Sequence, residues 1–144
     1  MSSQNYPSIK FSENAKLEKG DTIGVVSPSF WAPGEWPHVY EFALERLRNV
    51  FGLSPVEFSS TKKINATSHE RSRDLEEAFL NIKIKAVIAS LGGNDQKTYI
   101  HDLPKEPFCL NPKMFFGFSD NTHFANFLWV NGVSSYYGAS LFTQ

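Results

Sequence analysis

The sequence has few of the residues that build disulfides and metal sites. It contains one cysteine, Cys109, and four histidines among 144 residues. A lone cysteine cannot form an internal disulfide, and no spacing of cysteine and histidine along the chain matches a zinc site. We therefore expect a protein of a reducing compartment with no metal site. No cofactor is expected either, since the double glycine Gly92-Gly93 matches neither the phosphate-loop pattern nor the dinucleotide fingerprint.

Net charge and long apolar runs are also lacking. The formal net charge of −1 gives no general attraction to nucleic acid or to an anionic membrane. The N-terminal stretch is polar and contains no signal-peptide core, and no apolar run approaches the roughly 20 residues that span a bilayer. These absences predict a cytoplasmic protein with no nucleic acid or membrane partner, and they favour a small molecule or a peptide as ligand.

What the sequence does contain is an alternation of apolar strands and amphipathic helices. The runs "DTIGVV", "IKAVIAS" and "KMFFGF" are apolar almost throughout, as strands of parallel sheets are, and shorter strands are predicted in "LSPVEFSS" and "VSSYYGAS". The alternation indicates an α/β fold. We predict a polar lead-in over residues 1–19 and, over 20–144, a single α/β domain with a flavodoxin-like parallel sheet flanked by helices.

Three helices are marked by their end signals. Pro37 suits a first helical turn and Gly52 a helix stop, Thr67 and Glu70 have the spacing of a capping box, and Asn131-Gly132 ends a third helix. The apolar faces predicted for these helices are Val39, Ala43, Leu47 and Val50; Leu75, Ala78, Phe79 and Ile82; and Phe124, Phe127, Leu128 and Trp129.

Three loops of chemical interest follow predicted strands. They are Ser27-Pro28-Ser29, Gly92-Gly93-Asn94-Asp95 and Gly117-Phe118-Ser119-Asp120. In an open α/β sheet, ligands bind outside the carboxyl ends of the strands, so these loops are expected to meet at one site. A double glycine lets backbone N–H groups approach a ligand closely, although a glycine pair is more often only a turn.

Ser119 has two interpretations. A serine on a sharp strand-to-helix turn can expose its hydroxyl beside the N–H of the next residue, Asp120, as a nucleophile beside an oxyanion donor. Gly117 would relieve crowding in such a turn, but Asn121 stands where the general motif has a second glycine. The other interpretation is that Ser119 or Asp120 caps a helix, and local sequence alone favours the cap.

A catalytic base for Ser119 is not evident from the sequence. His123 lies on the same helix, where its ring is expected to run along the helix surface, and His38 and His69 fall at helix starts. His101 lies in a segment that the pattern does not place. None of the four histidines is a convincing base.

Other conspicuous residues have structural interpretations. Trp31 and Trp36 flank a loop after the first strand, where local packing is favoured over a pocket mouth. Arg71, Arg73 and Asp74 are expected to form a solvated helix face with local ion pairs.

With these residues in place, the chain resembles the N-terminal half of the LD-carboxypeptidase and microcin C self-immunity family of serine peptidases. The matching stretches, in order, are "KGDTIGVVSPS", "ERSRDLEEAF", "IKAVIASLGGND", "GFSDNTHF" and "YYGASLFTQ". The resemblance favours the nucleophile interpretation of Ser119. "SLGGND" leans toward the microcin-immunity branch, whose members cleave an amide-like link between a peptide or acidic aminoacyl group and a nucleotide.

The resemblance implies a Ser-His-Glu triad divided between two domains. Ser119 would be the nucleophile, the N–H of Asp120 one oxyanion donor and the Gly92-Gly93 backbone the other, with Asn94 beside the substrate. The glutamate and histidine would come from a C-terminal domain with no matching positions here. The implied partners are a small peptide-like substrate and that C-terminal domain, and a homodimer is also expected because family members are often dimers.

Two consequences follow for function. The leading hypothesis is the nucleophile-bearing domain of a cytoplasmic serine carboxypeptidase or amidase, with almost no turnover from residues 1–144 by themselves. The alternative is a stand-alone flavodoxin-like module that binds a small ligand at its strand ends and does no chemistry.

Overall fold

Five parallel strands form one sheet in the order β2-β1-β3-β4-β5. The computed structural model describes residues 8–143 and gives these bounds: β1 Thr22–Val26, β2 Ser54–Glu57, β3 Ile84–Ala89, β4 Met114–Gly117 and β5 Tyr136–Tyr137. This is the flavodoxin-like strand order, as predicted. Because the chain crosses from one side of β1 to the other between β2 and β3, the switch point of the sheet lies at the ends of β1 and β3.

Helices cover both faces of the sheet. They are α1 Ala32–Glu35, α2 Pro37–Asn49, α3 Ser68–Leu80, α4 Glu106–Leu110 and α5 Thr122–Val130, joined by 3₁₀ turns at Gln96–Thr98, Ile100–Asp102, Ser119–Asn121 and Leu141–Thr143. The predicted helices correspond to α2, α3 and α5. The sequence pattern misses α1 and α4 because elements of four or five residues are too short to show a helical period.

The predicted end signals are confirmed. Pro37 is the first residue of α2, and Gly52 and Gly132 have φ of 69° and 76°, the left-handed region that glycine favours after a helix. Thr67 and Glu70 form the reciprocal capping box at the start of α3. These signals are local, so the sequence carries them without help from the fold.

Two hydrophobic cores lie on opposite faces of the sheet. Under α3, α4 and α5, four buried phenylalanines pack edge to face, with ring centroids 4.8–5.8 Å apart: Phe79, Phe108, Phe115 and Phe124. Under α2, Tyr40, Leu44 and Leu47 belong to a second core with Val25 and Ile88. Both faces of the central strands are therefore buried, which explains their unbroken apolar sequences.

Some predicted apolar positions are exposed. Val39 and Val50 lie on the outer side of α2, whose buried residues are Tyr40, Ala43, Leu44 and Leu47. Ile82 lies beyond the end of α3 and is 77% exposed, and Trp129 on α5 is 54% exposed. The prediction was wrong at these four residues. Val50 and Ile82 follow the last residues of α2 and α3, whereas Val39 and Trp129 lie on the exposed sides of their helices.

The edge strands are shorter than their sequence stretches suggest. The second predicted strand covers only Ser54–Glu57, and the last covers only Tyr136–Tyr137. After β2 the chain bends inward, where the Ser60 N–H and hydroxyl donate to Asp74 of α3. Of the helices formed by residues 8–143, none is long and apolar enough to cross a membrane.

Candidate active site

The three loops singled out in the sequence meet at the carboxyl ends of β1, β3 and β4. A Cβ added at Gly92 would lie 2.9 Å from Cβ and 3.1 Å from Oγ of Ser119. A Cβ added at Gly93 would lie 2.8 Å from Cβ of Ser29. Only glycine therefore fits at positions 92 and 93, between Ser119 of the third loop and Ser29 of the first loop. The three loops converge as predicted.

Register explains why these loops reach the same level. Val26 pairs with Ala89 at the ends of β1 and β3. Directly beyond that pair, the hydroxyls of Ser27 and Ser90 lie 2.8 Å apart and are hydrogen-bonded. The two central strands thus end together, and the loops that follow them start from one edge.

Ser119 occupies a strained and exposed position. Its φ is +60°, the left-handed region, which costs a residue with a side chain on the order of 1–3 kcal/mol. It is the first residue of a 3₁₀ turn between β4 and α5. At Gly117 a Cβ would lie 2.9 Å from Cβ of Asn121, so the missing side chain makes room for the turn. This geometry is that of a sharp strand-to-helix elbow.

The cap interpretation of this serine is wrong. The residue that precedes α5 is Asn121, the residue that precedes the 3₁₀ turn is Phe118, and neither helix end has a side-chain cap bond. The backbone carbonyl of Ser119 accepts a hydrogen bond from the Thr122 hydroxyl at 2.6 Å. Among the described residues, the Ser119 hydroxyl therefore accepts no hydrogen bond from a backbone N–H at the start of the 3₁₀ turn or of α5.

Asp120 links the elbow to the glycine loop. Its side chain is 6% exposed, and Oδ2 accepts from the N–H groups of Asp95 at 2.9 Å and Gln96 at 3.0 Å. The carboxylate therefore caps the 3₁₀ turn that starts at Gln96, and it does so from a different loop. The N–H of Asp120 is left at the elbow beside Ser119, where an oxyanion donor is expected.

The glycine loop presents backbone donors to the same space. The N–H groups of Gly92 and Gly93 donate to no backbone carbonyl of residues 8–143. Gly92 is buried against Ser119, whereas Gly93 and Asn94 are exposed. This part of the loop suits a ligand that accepts hydrogen bonds, such as a carbonyl or a carboxylate oxygen.

Two buried amides beneath the elbow were not singled out from the sequence. Gln96 and Asn121 are fully buried, and Gln96 Nε2 donates to Asn121 Oδ1 at 2.6 Å. The one signal for Asn121 is that it replaces the second glycine of the general elbow motif. Gln96 gives no signal, because a glutamine after "GGND" looks like part of a polar loop.

The prediction of a solvated face on α3 was wrong for Arg71 and Asp74. Arg71 is 2% exposed, and its guanidinium donates to the carbonyls of Ala66 and Ser29, lies 3.5 Å from Oδ2 of Asp95 and packs on the Trp31 ring at 5.5 Å. Asp74 is 1% exposed and is bonded by two serines that follow β2. Polar partners from other loops make this burial favourable.

Two other predictions for nearby residues hold. Arg73, the third member of that predicted face, is exposed and pairs with Glu77 one turn later. Trp31 and Trp36 both pack locally against Phe30, with ring centroids 4.9 and 5.7 Å from that of Phe30.

Within the described part of the chain, no histidine is hydrogen-bonded to Ser119. His123 Nε2 lies 3.6 Å from Oδ1 of Asp120, so its ring lies beside the carboxylate on the α5 surface. His101 belongs to a 3₁₀ turn and lines a shallow cavity with His123 and Lys97. His38 and His69 are exposed on α2 and α3. Within residues 8–143, no group of three or more His, Cys, Asp or Glu side chains is arranged to hold a metal ion.

Fold and site together define the class of protein. It is a doubly wound parallel α/β domain with a serine elbow and a glycine loop at the switch point of the sheet. The family model described as the LD-carboxypeptidase N-terminal domain matches residues 23–138, and the chain belongs to this family.

Relatives extend beyond the length of this chain. The chain is 29% identical over 128 residues to YocD of Bacillus subtilis strain 168, named as a carboxypeptidase, covering 86% of this chain and 39% of that protein. It is 28% identical over 138 residues to a protein of the same organism named as a murein peptide carboxypeptidase, covering 93% and 43%. The chain thus spans about two fifths of the length of these relatives.

A solved structure shares the fold. The microcin C7 self-immunity protein MccF, in complex with aspartyl sulfamoyl adenosine, superposes with a TM-score of 0.84 at 28% identity, over 90% of this chain and 40% of that one. Family model, relatives and solved structure agree in identifying this chain with the N-terminal domain of the LD-carboxypeptidase family.

Proposed function

We propose that Ser119 is the nucleophile of a serine carboxypeptidase or amidase that cleaves a peptide-like amide bond. The observation that carries this proposal is the exposed Ser119 at φ +60°, packed against Gly92. A fold that serves only stability has no reason to keep a serine in a strained conformation at its ligand-binding edge, whereas a nucleophile gains access to a carbonyl from it.

The oxyanion site that we propose consists of backbone N–H groups from two loops. Asp120 supplies one donor from the elbow, and Gly92-Gly93 supplies the other. The contact between Gly92 and Ser119 supports this pairing because it brings both donors beside the attacking oxygen. Charge that develops on the carbonyl oxygen would be stabilised by donors that are already in place. Asn94, exposed at the rim of the loop, is proposed to lie beside the substrate.

The base is proposed to come from outside this chain's residues. In that scheme a histidine oriented by a glutamate, both in the C-terminal domain of the same protein, accepts the Ser119 proton and returns it to the leaving amine. The chain spans about two fifths of its relatives, which leaves room for such a domain. Among residues 8–143 no histidine is hydrogen-bonded to Ser119, which agrees with this division.

The substrate class that we propose is small and peptide-like. Relatives include a protein named for murein peptide carboxypeptidase activity, and MccF has been solved with an aminoacyl sulfamoyl nucleoside. "SLGGND" favours the second type of substrate for this chain. We also propose that the protein is cytoplasmic and forms a homodimer.

Turnover by the complete gene product tests the proposal. We expect it to hydrolyse either a murein peptide or an aspartyl-adenylate analogue with a scissile amide. The reaction is followed by measuring the masses of the products. Ser119→Ala should abolish it, and Ser54→Ala, which removes an exposed serine at the opposite end of the sheet, should leave it unchanged. Binding of either compound without turnover by the wild type would instead favour the stand-alone binding module.

A further inference from the structure

Gln96 is the residue on which three parts of the site converge. Its Nε2 donates to Asn121 Oδ1 at 2.6 Å and to Ser29 Oγ at 3.0 Å, and its Oε1 accepts from the Phe124 N–H at 3.0 Å. One side chain therefore bonds the loop after β1, the elbow after β4 and the first turn of α5. Both hydrogens of its amide nitrogen are used.

The orientation of this amide is fixed by its surroundings. The N–H of Phe124 can only donate, so it requires the oxygen of Gln96 and turns the nitrogen toward Asn121. Asn121 Nδ2 in turn donates to the carbonyls of Leu91 and Phe118, both at 3.1 Å, which leaves its oxygen to face Gln96. Each group has one arrangement that satisfies every partner.

The network reaches the residue that precedes Ser119 and the residue that precedes the glycine loop. Phe118 precedes Ser119, and Leu91 precedes Gly92, where an added Cβ would lie 2.9 Å from Cβ of Ser119. Gln96 and Asn121 are 0% exposed and Ser29 is 3% exposed, so these bonds are shielded from solvent and an unpaired member would carry a desolvation cost. A serine held at φ +60° needs such surroundings because its backbone would otherwise relax.

We propose that Gln96 is a positioning residue that holds the Ser119 elbow against the Gly92-Gly93 loop through Asn121. The proposal rests on the proposed function, in which Ser119 is the nucleophile and these loops supply the oxyanion donors. Gln96 itself does not touch the substrate. Its loss would leave Asn121 Oδ1 with only its weak 3.4 Å contact to Ser29 and would let the elbow move away from the donors.

The test measures the reactivity of Ser119 in the complete gene product. A fluorophosphonate probe is titrated, and intact mass gives the maximal labelling rate and the concentration for half-maximal rate. Gln96→Met keeps the length of the side chain and removes its three hydrogen bonds. We expect its maximal labelling rate to fall about 100-fold, which is the effect of displacing a reacting group by about 1 Å. The probe concentration that gives the half-maximal rate should stay within about threefold of the wild-type value.

Lys113→Met is the matched control. Lys113 is also buried and also bonds more than one partner, the carbonyls of Phe79 and Asn81, but it lies just before β4, at the end of the sheet opposite the elbow. Each variant is assayed the same number of degrees below its own melting temperature. The control should then keep the maximal rate of the wild type.

A maximal rate for Gln96→Met that equals the rate of the control would overturn the proposal. If Gln96→Met does not fold, the test uses Ser29→Ala, which removes one of the three partners of Gln96. A fall of about threefold to tenfold in the maximal labelling rate supports the proposal, and an unchanged rate overturns it. Failure of the proposed function is recognised separately, because the wild type would then not label at Ser119 at all.

Discussion

At the scale of single residues, the site depends on two contacts that tolerate no side chain. Gly92 faces Ser119 and Gly93 faces Ser29, in both cases at distances that a real Cβ would not adopt. The sequence shows these glycines, but only the fold shows what they lie against. Their role is close approach and not unusual backbone, because positive φ in this region belongs to Ser119 alone.

Gly92→Ala tests the first contact. The added methyl would lie 2.9 Å from Ser119 Cβ, so the elbow must shift, and we expect a loss of about 1–3 kcal/mol in the free energy of unfolding and a fall of about 100-fold in labelling of Ser119 by a fluorophosphonate. Gly138→Ala is the control, since nothing lies within 4 Å of a Cβ there. Equal labelling rates for the two variants would contradict the close contact.

The strain at Ser119 predicts an order of stabilities. Ser119→Gly and Ser119→Ala both remove the hydroxyl, but only glycine adopts φ +60° without steric cost. We expect the glycine variant to exceed the alanine variant by about 1 kcal/mol in the free energy of urea unfolding. An alanine variant that is as stable as the glycine variant would show that the elbow is not strained.

At the scale of elements, the predictable features are those carried by a few neighbouring residues. The capping box of α3 and the glycine after α2 are local, and both were found from the sequence. Arg71 and Asp74 were misassigned because their partners, the carbonyl of Ser29 and the N–H of Ser60, are distant along the chain. A polar residue on a helix looks solvated until the loops that cover it are placed.

Glu70, in the first turn of α3, makes the folded state less stable at acid pH. The hydrogen bond from Lys63 and the bonds within the capping box hold the pKa of Glu70 at about 2, below its ordinary value of 4.5. Because the folded pKa is depressed, the stabilisation is complete above about pH 4.5 and is lost as pH falls toward 2.

Glu70→Gln isolates this titration. Glutamine can still complete a capping box, but it does not ionise and it loses the ion pair with Lys63. Urea unfolding across pH 2 to 6 should therefore show a smaller loss of stability on acidification for the variant than for the wild type. Parallel curves would mean that Glu70 does not contribute to the acid sensitivity of the fold.

At the scale of the whole molecule, topology predicted the place of the site and packing decided its details. The alternation of strands and helices was enough to bring residues 27–29, 92–95 and 117–120 to one edge, because parallel strands end together. The buried Gln96 was beyond prediction, since its three partners come together only when both central strands and α5 are in place.

The central claim is that Ser119 is an activated nucleophile whose base lies outside this chain, and one measurement tests it directly. Intact mass is recorded before and after a fluorophosphonate probe for the complete gene product, its Ser119→Ala variant and residues 1–144 alone. We predict one label on the complete product at Ser119 and none on the variant. Labelling of residues 1–144 should be slower by a factor on the order of 10⁴ to 10⁶, because these residues would lack the proposed histidine and glutamate. A complete product that stays unlabelled at Ser119, or a short chain that labels as fast as the complete product, would contradict the account.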